Sequence, residues 1–369
     1  MGIHSMRGDI FSSDANRLAA PNSDKFAAAP GMESLNGASE ECCPETPTAT
    51  PTTPTTATIT TTTTAVVNYQ SPNVPTGLFA EYTYPPKVGV RRDRLGNDVE
   101  VFGIDVQPVS VEVSNGREED LDLDQHAVQL VALPPYLPLD YCELDQVLSE
   151  YYPECCRLVQ QATGARQVIA FDHNVRSEAR KGESMGGGFA VQPPLPLVHG
   201  DYTEASARQR LRDLTRPPKQ NDTLRSILGE KPPLEEDPEE LLQRRFCIIN
   251  VWRSLAPEPI ERMPLGILSP GSVPSDDIVV HEIHYEDRIG ENYNARHGSG
   301  HKWWMFPRMH REEALLFKCW DSAGSFAQHP PAGVARVPAT FAFHSALEVP
   351  ARPDAPARES IEVRTIAIF

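Results

Sequence analysis

A mainly β chain, folded as a double-stranded β-helix (a jelly roll) with peripheral helices and a disordered N-terminal tail, is what the sequence predicts. Three observations carry that expectation. From residue 77 onward, short alternating or wholly apolar runs recur between Pro, Gly and Asp punctuation, the texture of strands and turns. These runs, roughly eight of them, do not alternate with helical segments, which argues against a doubly wound parallel sheet. No Gly-x-Gly-x-x-Gly follows a strand; "GESMGGGFA" at 182–190 has glycines without the strand-turn-helix setting, so nucleotide binding is not expected.

Taken in order, residues 1–74 are poor in large apolar side chains and include the uncharged "TPTATPTTPTTATITTTTT" at 46–64. Such a segment cannot bury enough apolar surface to offset chain entropy, and it reads as a disordered Thr/Pro-rich tail. A single folded domain is expected over 75–369. Within it "VEVFGIDVQPVSVEV" at 99–113 predicts a hairpin or two short strands, and "REEDLDLD" a solvated loop. Asp140 with Glu143 resembles a capping box, after which Leu144, Val147, Leu148 and Tyr151 fall at helical spacing; Pro153 interrupts or ends that helix. "VIAFDHNV" is the next strand candidate. The stretch from about 202 to 245 is charged and Pro-rich and reads as an insertion or lid on the β core. Beyond it "RFCIINVWRSL", "SDDIVVHEIHYEDR", two apolar runs in "KWWMFPRMHREEALLFKCWDS", and "RESIEVRTIAIF" supply the remaining strands.

The 369 residues suffice for two average domains or one large β-rich one, and a 40% hydrophobic fraction supports a sizeable core. A formal charge of −17 argues against a nucleic-acid partner, which requires a basic surface, and favours a small molecule. There is no apolar run of membrane-spanning length and no secretory signal, so a cytoplasmic protein without membrane partners is expected. Seven cysteines with no Cys-x-x-Cys point to reduced thiols; Cys247 and Cys319 sit in apolar runs and read as core residues.

The chemistry lies in His-x-Asp/Glu triplets, of which this composition produces roughly one or two by chance. Three occur, at His199-Gly200-Asp201, His284-Tyr285-Glu286 and His310-Arg311-Glu312. A mononuclear iron(II) oxygenase needs two imidazoles and one carboxylate on one face of the metal, leaving the other positions for a co-substrate and dioxygen. Residues i and i+2 of extended chain point the same way, so one triplet delivers two ligands, and a distant His must deliver the third. Where the co-substrate is a 2-oxo acid, its far carboxylate needs a fixed cation, and Arg offers a bidentate fork. His344 followed by Arg358 and Ser360, which share a face of the last strand, meets that need. This is the arrangement of 2-oxoglutarate-dependent dioxygenases, and it selects His199, Asp201 and His344 as metal ligands.

Other assignments stay open. His284 and Glu286 could replace the first pair, although they sit in a polar strand face; His310 and Glu312 lie in a polar turn. His301 in "GHKWW" competes with His344 as third ligand. Asn250, on one face of its strand with Trp252, is either a ligand to the 2-oxo acid or a structural hydrogen-bonding group. Trp303, Trp304, Phe306 and Trp320 read as core or pocket wall, and Tyr202 and Arg253 as pocket candidates. Lys318, in an apolar run, requires a carboxylate partner such as Asp321, or binds the co-substrate.

The blocks "FDHNVR", "VHGDYT", "FCIINVWRSL", "HKWWMFPRMHREEALLFKCWDS" and "RESIEVRTIAIF" resemble the AsaB-type hydroxylase/desaturase family of fungal secondary metabolism, over roughly residues 75 to 369. That family is similar to gibberellin desaturases and cephalosporin methoxylation proteins. The resemblance implies a cupin-like barrel using Fe(II), 2-oxoglutarate and O2 to hydroxylate or desaturate a small natural product. It departs at the distal block, where "FHSALEVP" stands for the usual Pro-His-Thr-Ala-Phe. Alternatives of other classes are an Fe(II)/O2 oxidase without 2-oxoglutarate and a non-catalytic partner subunit.

Overall fold

The computed structural model describes residues 62–79, 87–93, 98–133, 139–183, 190–219, 222–286, 288–333, 336–352 and 354–369. The tail expected at 1–74 lies outside them up to residue 61. Its boundary is corrected: β1 (Thr62–Gln70) is a strand from the threonine run onward. Ala65, Val67 and Tyr69 explain it, since their period-two spacing lets each bury against the core, at 1% exposure or less.

Fifteen strands follow in chain order among the described residues: β1, β2 (Val88–Arg92), β3 (Asp98–Phe102), β4 (Val106–Asn115), β5 (Val128–Ala132), β6 (Gln167–Ser177), β7 (His199–Gly200), β8 (Phe246–Ser254), β9 (Leu265–Leu268), β10 (Ile278–His284), β11 (Ile289–Ala295), β12 (Trp303–Met305), β13 (Glu313–Asp321), β14 (His344–Ala346) and β15 (Glu359–Ile368). They form a ten-stranded sheet in the order β1-β4-β12-β9-β14-β7-β11-β10-β2-β3 and a five-stranded sheet in the order β5-β13-β8-β15-β6. The larger sheet is mixed, with parallel β10/β2 and β12/β4 pairs; the smaller is antiparallel. The fold is therefore mainly β, as expected, with nearly twice the expected strands because several are too short to show in sequence. β3 and β4 are two strands and not a hairpin: β3 pairs with β2, and β4 with β1 and β12.

The helices are peripheral. α1 (Leu144–Gln146) runs through a π segment, Val147–Tyr151, into α2 (Tyr152–Thr163). Of the two outcomes expected at Pro153, the helix is interrupted, by the π segment just before it, and not ended. Pro153 falls in the first turn of α2, where its missing N–H costs least, and the wider π turn stands before it. Gly164, at φ 68°, closes α2 by donating to the Gln160 carbonyl. The expected capping box is absent too: Glu143 is itself the N-cap, and Asp140 bonds Cys142 N–H and Gln146 instead. α2 packs on the outer face of the five-stranded sheet, where Tyr152 Oη meets His173 Nδ1 at 2.9 Å. With both faces covered, every residue of β8 is buried.

The stretch expected as an insertion or lid holds α3 (Glu204–Leu214), α4 (Arg225–Leu228) and α5 (Pro238–Leu241). Leu211, Leu214, Leu224, Leu234, Leu241 and Leu242 are all buried there, so the segment is built into the core despite its charge. α3 packs on β11. Among the described residues no helix is long and apolar enough to cross a membrane.

Candidate active site

The site lies between the two sheets and takes its two histidines from the first residues of short strands. β7 carries His199 and β14 carries His344, and the two are direct register partners. Partners across a sheet point to the same face, so both imidazoles face the smaller sheet, their ring centroids 4.3 Å apart. Immediately after β7 the chain turns into α3. A reciprocal cap fixes that turn: Ser206 N–H donates to Thr203 Oγ1 at 3.2 Å, and Thr203 N–H to Ser206 Oγ at 2.8 Å. Asp201, two residues before the cap, is thereby held against the histidines. Its Oδ1 is 3.8 Å from His199 Nε2 and 3.8 Å from His344 Nε2. Ligand atoms of the three lie within 4.8 Å of one another, the one such metal-ligating group among the described residues.

The electrostatics prepare these atoms for a cation. His199 Nδ1 must carry the proton, because its partner at 2.8 Å is the Leu197 carbonyl, which only accepts; Nε2 is left with a free lone pair. Burial, aided by neighbouring His344, holds His199 down to about 4, so it is neutral near pH 7. His344 is lowered as well, chiefly by burial. Burial alone would raise Asp201. Arg364, followed by His344, His199 and the Asn250 hydrogen bond, overcomes it and holds the carboxyl well below the ordinary range. Arg364 Nε donates to Asp201 Oδ2 at 3.1 Å and Asn250 Nδ2 to the same oxygen at 2.9 Å, which leaves Oδ1 turned toward the histidines. Asn250, expected either at the co-substrate or as a structural hydrogen-bonding group, donates to Asp201, and its Oδ1 is buried without a partner.

A cavity opens beside His199 and His344, lined also by Arg176, Trp252, Leu265, Arg358 and Glu362. Arg358, which lines that cavity, is 5% exposed, and Ser360, two residues further along the chain, is 1% exposed. Arg358 Nη1 donates to the Met263 carbonyl at 2.6 Å and its guanidinium lies 5.5 Å over the Trp252 ring, yet its Nε and the Ser360 Oγ have no partner. Burial and nearby Arg176 pull Arg358 down to about 9, which leaves it charged at neutral pH. Burial and Asp201 push Glu362 up, toward its uncharged form. Two imidazoles, one carboxylate and an adjoining pair of unsatisfied buried donors suit iron(II) with an anionic bidentate co-substrate.

The competing assignments are removed by partners elsewhere. His301 Nε2 lies 3.1 Å from Asp277 Oδ2 and its Nδ1 is 3.1 Å from Tyr69 Oη, which in turn accepts from Trp303 Nε1; it belongs to a core polar chain outside the ligand group. His284 pairs with Glu282 at 2.7 Å, and His310 and Glu312 are exposed. Lys318 bonds Asp321 at 2.6 Å and Asp124 at 3.2 Å, so it neutralises a buried carboxylate. Arg253 lies on the opposite face of β8 from Asn250 and Trp252 and donates to the Arg311 carbonyl. Cys247 and Cys319 are buried, with the Cys319 thiol 3.6 Å from Asp201 Oδ2.

Sequence reasoning missed Arg176, Glu362 and Arg364. The signal was present: Glu362 and Arg364 continue the alternation begun by Arg358 and Ser360, and two charges inside the apolar "SIEVRTIAIF" are improbable unless they face a polar site.

A family described as Oxidoreductase/YMDC permease-like domain matches residues 67–368. Alpha-ketoglutarate-dependent dioxygenase phiK, from a fungal species, is 29% identical over 297 residues, covering 79% of this chain and 95% of its own. Hydroxylase/desaturase efuI of Hormonema carpetanum is 28% identical over 313 residues, covering 81% of this chain and 96% of its own. Among solved structures, the iron and alpha-ketoglutarate-dependent endoperoxidase NvfI superposes with a TM-score of 0.60 at 21% identity, over 84% of this chain and 98% of that one, a likeness that shows the fold. On this fold His199, Asp201 and His344 form a group that could hold a metal ion. With the match extending over nearly all of the described residues, the chain belongs to the Oxidoreductase/YMDC permease-like domain family.

Proposed function

We propose that this chain is an AsaB-type dioxygenase on a double-stranded β-helix, which uses iron(II), 2-oxoglutarate and dioxygen to hydroxylate or desaturate a small-molecule natural product. The single observation that carries the reading is the cavity that brings Arg358, with its buried unpartnered Nε, beside His199 and His344 of the cluster with Asp201. The names of relatives phiK and efuI support it.

In this reading His199 and His344 offer Nε2 and Asp201 offers Oδ1 to the metal. Arg364 and Asn250 keep Asp201 aimed by occupying its other oxygen. Arg358 and Ser360 hold the far carboxylate of 2-oxoglutarate, with Trp252 against the guanidinium and Arg176 adding positive potential in the same cavity. Glu362, raised by burial and Asp201, accepts from Arg364 Nη2 at 3.3 Å. Bound there, iron(II) with its co-substrate and dioxygen supplies the oxidation of an unactivated C–H bond. The chain's own contribution is placement of that bond and exclusion of water.

The test is anaerobic addition of iron(II) and 2-oxoglutarate to the purified protein, read by the weak visible absorption of the complex, followed by succinate release on admitting oxygen. Arg358→Met is expected to raise KM for 2-oxoglutarate by ~10- to 150-fold, as befits a lost charge-assisted hydrogen bond. A variant with full activity and no need of 2-oxoglutarate would instead establish the Fe(II)/O2 oxidase, which has no use for Arg358.

A further inference from the structure

We infer that Asn294 is a substrate-binding residue on the flank of the metal cluster opposite the co-substrate cavity, and that it recognises a cis-amide of the lactam or cyclic-peptide type. The inference rests on the dioxygenase reading for which flank the co-substrate takes, and on geometry of its own for the rest.

Register puts Asn294 beside the cluster. Ile267, His344, His199, Asn294 and Val279 are successive partners across β9, β14, β7, β11 and β10. Members of such a transverse row share a face and have neighbouring Cβ atoms roughly 5 Å apart. Asn294 therefore stands next to His199 on the side away from His344, while Leu265, Ala346 and Arg358 line the cavity on the His344 side. The alternate residues of β11 confirm its orientation. Tyr293 turns to the other face, donating to the Leu78 carbonyl at 2.7 Å and stacking on Phe341, and Glu291 accepts from Thr203 at 2.8 Å.

Asn294 is 1% exposed, and both Nδ2 and Oδ1 are without a hydrogen-bond partner. A buried amide with both ends unsatisfied bears the full desolvation penalty twice, which a fold does not carry without use for it. Asn250 and Arg358, which also have an orphaned atom, each keep one bond, to Asp201 and to the Met263 carbonyl. A row further on, Asn292 Oδ1 and His281 Nδ1 are 2.8 Å apart, which extends the polar surface along the same face.

The chemistry of the ligand follows from the amide edge. A carboxamide presents one donor and one acceptor side by side. Its full complement is another edge with an acceptor and a donor on one side, which a cis-amide has and a trans-amide, ketone or ester lacks.

The experiment uses the whole protein labelled with 15N-asparagine, titrated with 2-pyrrolidinone and, in parallel, with γ-butyrolactone, which has the same shape and no N–H. The Asn294 side-chain NH2 resonance, assigned by its loss in Asn294→Leu, is expected to move with the lactam, and with the lactone only at concentrations at least tenfold higher. Asn294→Leu is expected to unfold at no lower denaturant concentration than the parent protein, because it removes two unpaired polar atoms. Movement with neither probe, equal response to both, or clear destabilisation by Asn294→Leu overturns the assignment. Iron(II) and 2-oxoglutarate absorption, recorded on the same protein, fails separately if the dioxygenase reading is wrong, since the lactam titration needs neither.

Discussion

Asn250→Ala separates the metal from the fold. Asn250 donates to Asp201 Oδ2 at 2.9 Å from a fully buried strand position, and its own Oδ1 has no partner. Removing the side chain deletes a hydrogen bond to a charged group, worth ~1.5–3 kcal/mol, and also deletes an orphaned acceptor that costs ~1–3 kcal/mol to bury. The two nearly offset, so urea unfolding of the metal-free variant should fall within about 1.5 kcal/mol of the parent. The metal does not share that compensation. Asp201 keeps Arg364 at 3.1 Å but loses the second anchor that turns Oδ1 to the histidines. Loss of such an outer partner lowers metal affinity by ~10- to 100-fold, or about 1.4–2.7 kcal/mol. Competition for cobalt(II) or iron(II) against a chelator measures it. Metal affinity within threefold of the parent, accompanied by a raised KM for 2-oxoglutarate, would refute the reasoning and put Asn250 on the co-substrate.

Three further outcomes are expected. Lys318→Met leaves Asp321, which is 0% exposed, with only Arg245 to balance it, and should cost ~3–5 kcal/mol in urea unfolding, whereas a loss under 1 kcal/mol would show that the ion pair contributes little. The same network sets an acid limit. Burial pushes Asp321 up, but Arg245 and Lys318 outweigh it and depress the folded-state pKa, so its stabilisation is complete above the unfolded value of about 3.9 and disappears as pH falls through the lower folded value. Stability measured between pH 5 and 2 should therefore decline less steeply in Asp321→Asn than in the parent. Gly89→Ala places a Cβ 2.2 Å from the Glu282 carbonyl oxygen across the β2/β10 pair, and backbone cannot give way as a side chain does. It should destabilise by ~1–3 kcal/mol, seen as a lower thermal midpoint.

What the sequence revealed depended on whether a residue's role was local. His199 and Asp201 were legible because two ligands from one extended triplet leave a mark at i and i+2. Arg358 and Ser360 leave the same mark at i and i+2, and both are buried with an unpartnered atom. The choice of His344 over His301 was not, because it turns on strand neighbours: His344 faces His199 across a rung, and His301 is absorbed by Asp277 and Tyr69. Lys318 showed that it needed an acid but not which one. Strands of two or three residues such as β7, β12 and β14 carry no periodicity to detect, and the π turn before Pro153 has no sequence signature. The start of the fold was misplaced because a threonine run reads as low complexity until its continuation, Ala65, Val67 and Tyr69, is counted with it.

The single rung between His199 and His344 also bears on how the chain reaches its native state. β7 is two residues long and pairs with β14 at one position, so little of its own hydrogen bonding holds it in place. Its partner arrives only after most of the chain has been synthesised, a connection of large sequence separation, which is slow to form. A divalent ion joining the two imidazoles would act as a clasp on that late contact. It binds the finished arrangement and not the open one, so metal supply would slow unfolding and protect the C-terminal strands from proteolysis.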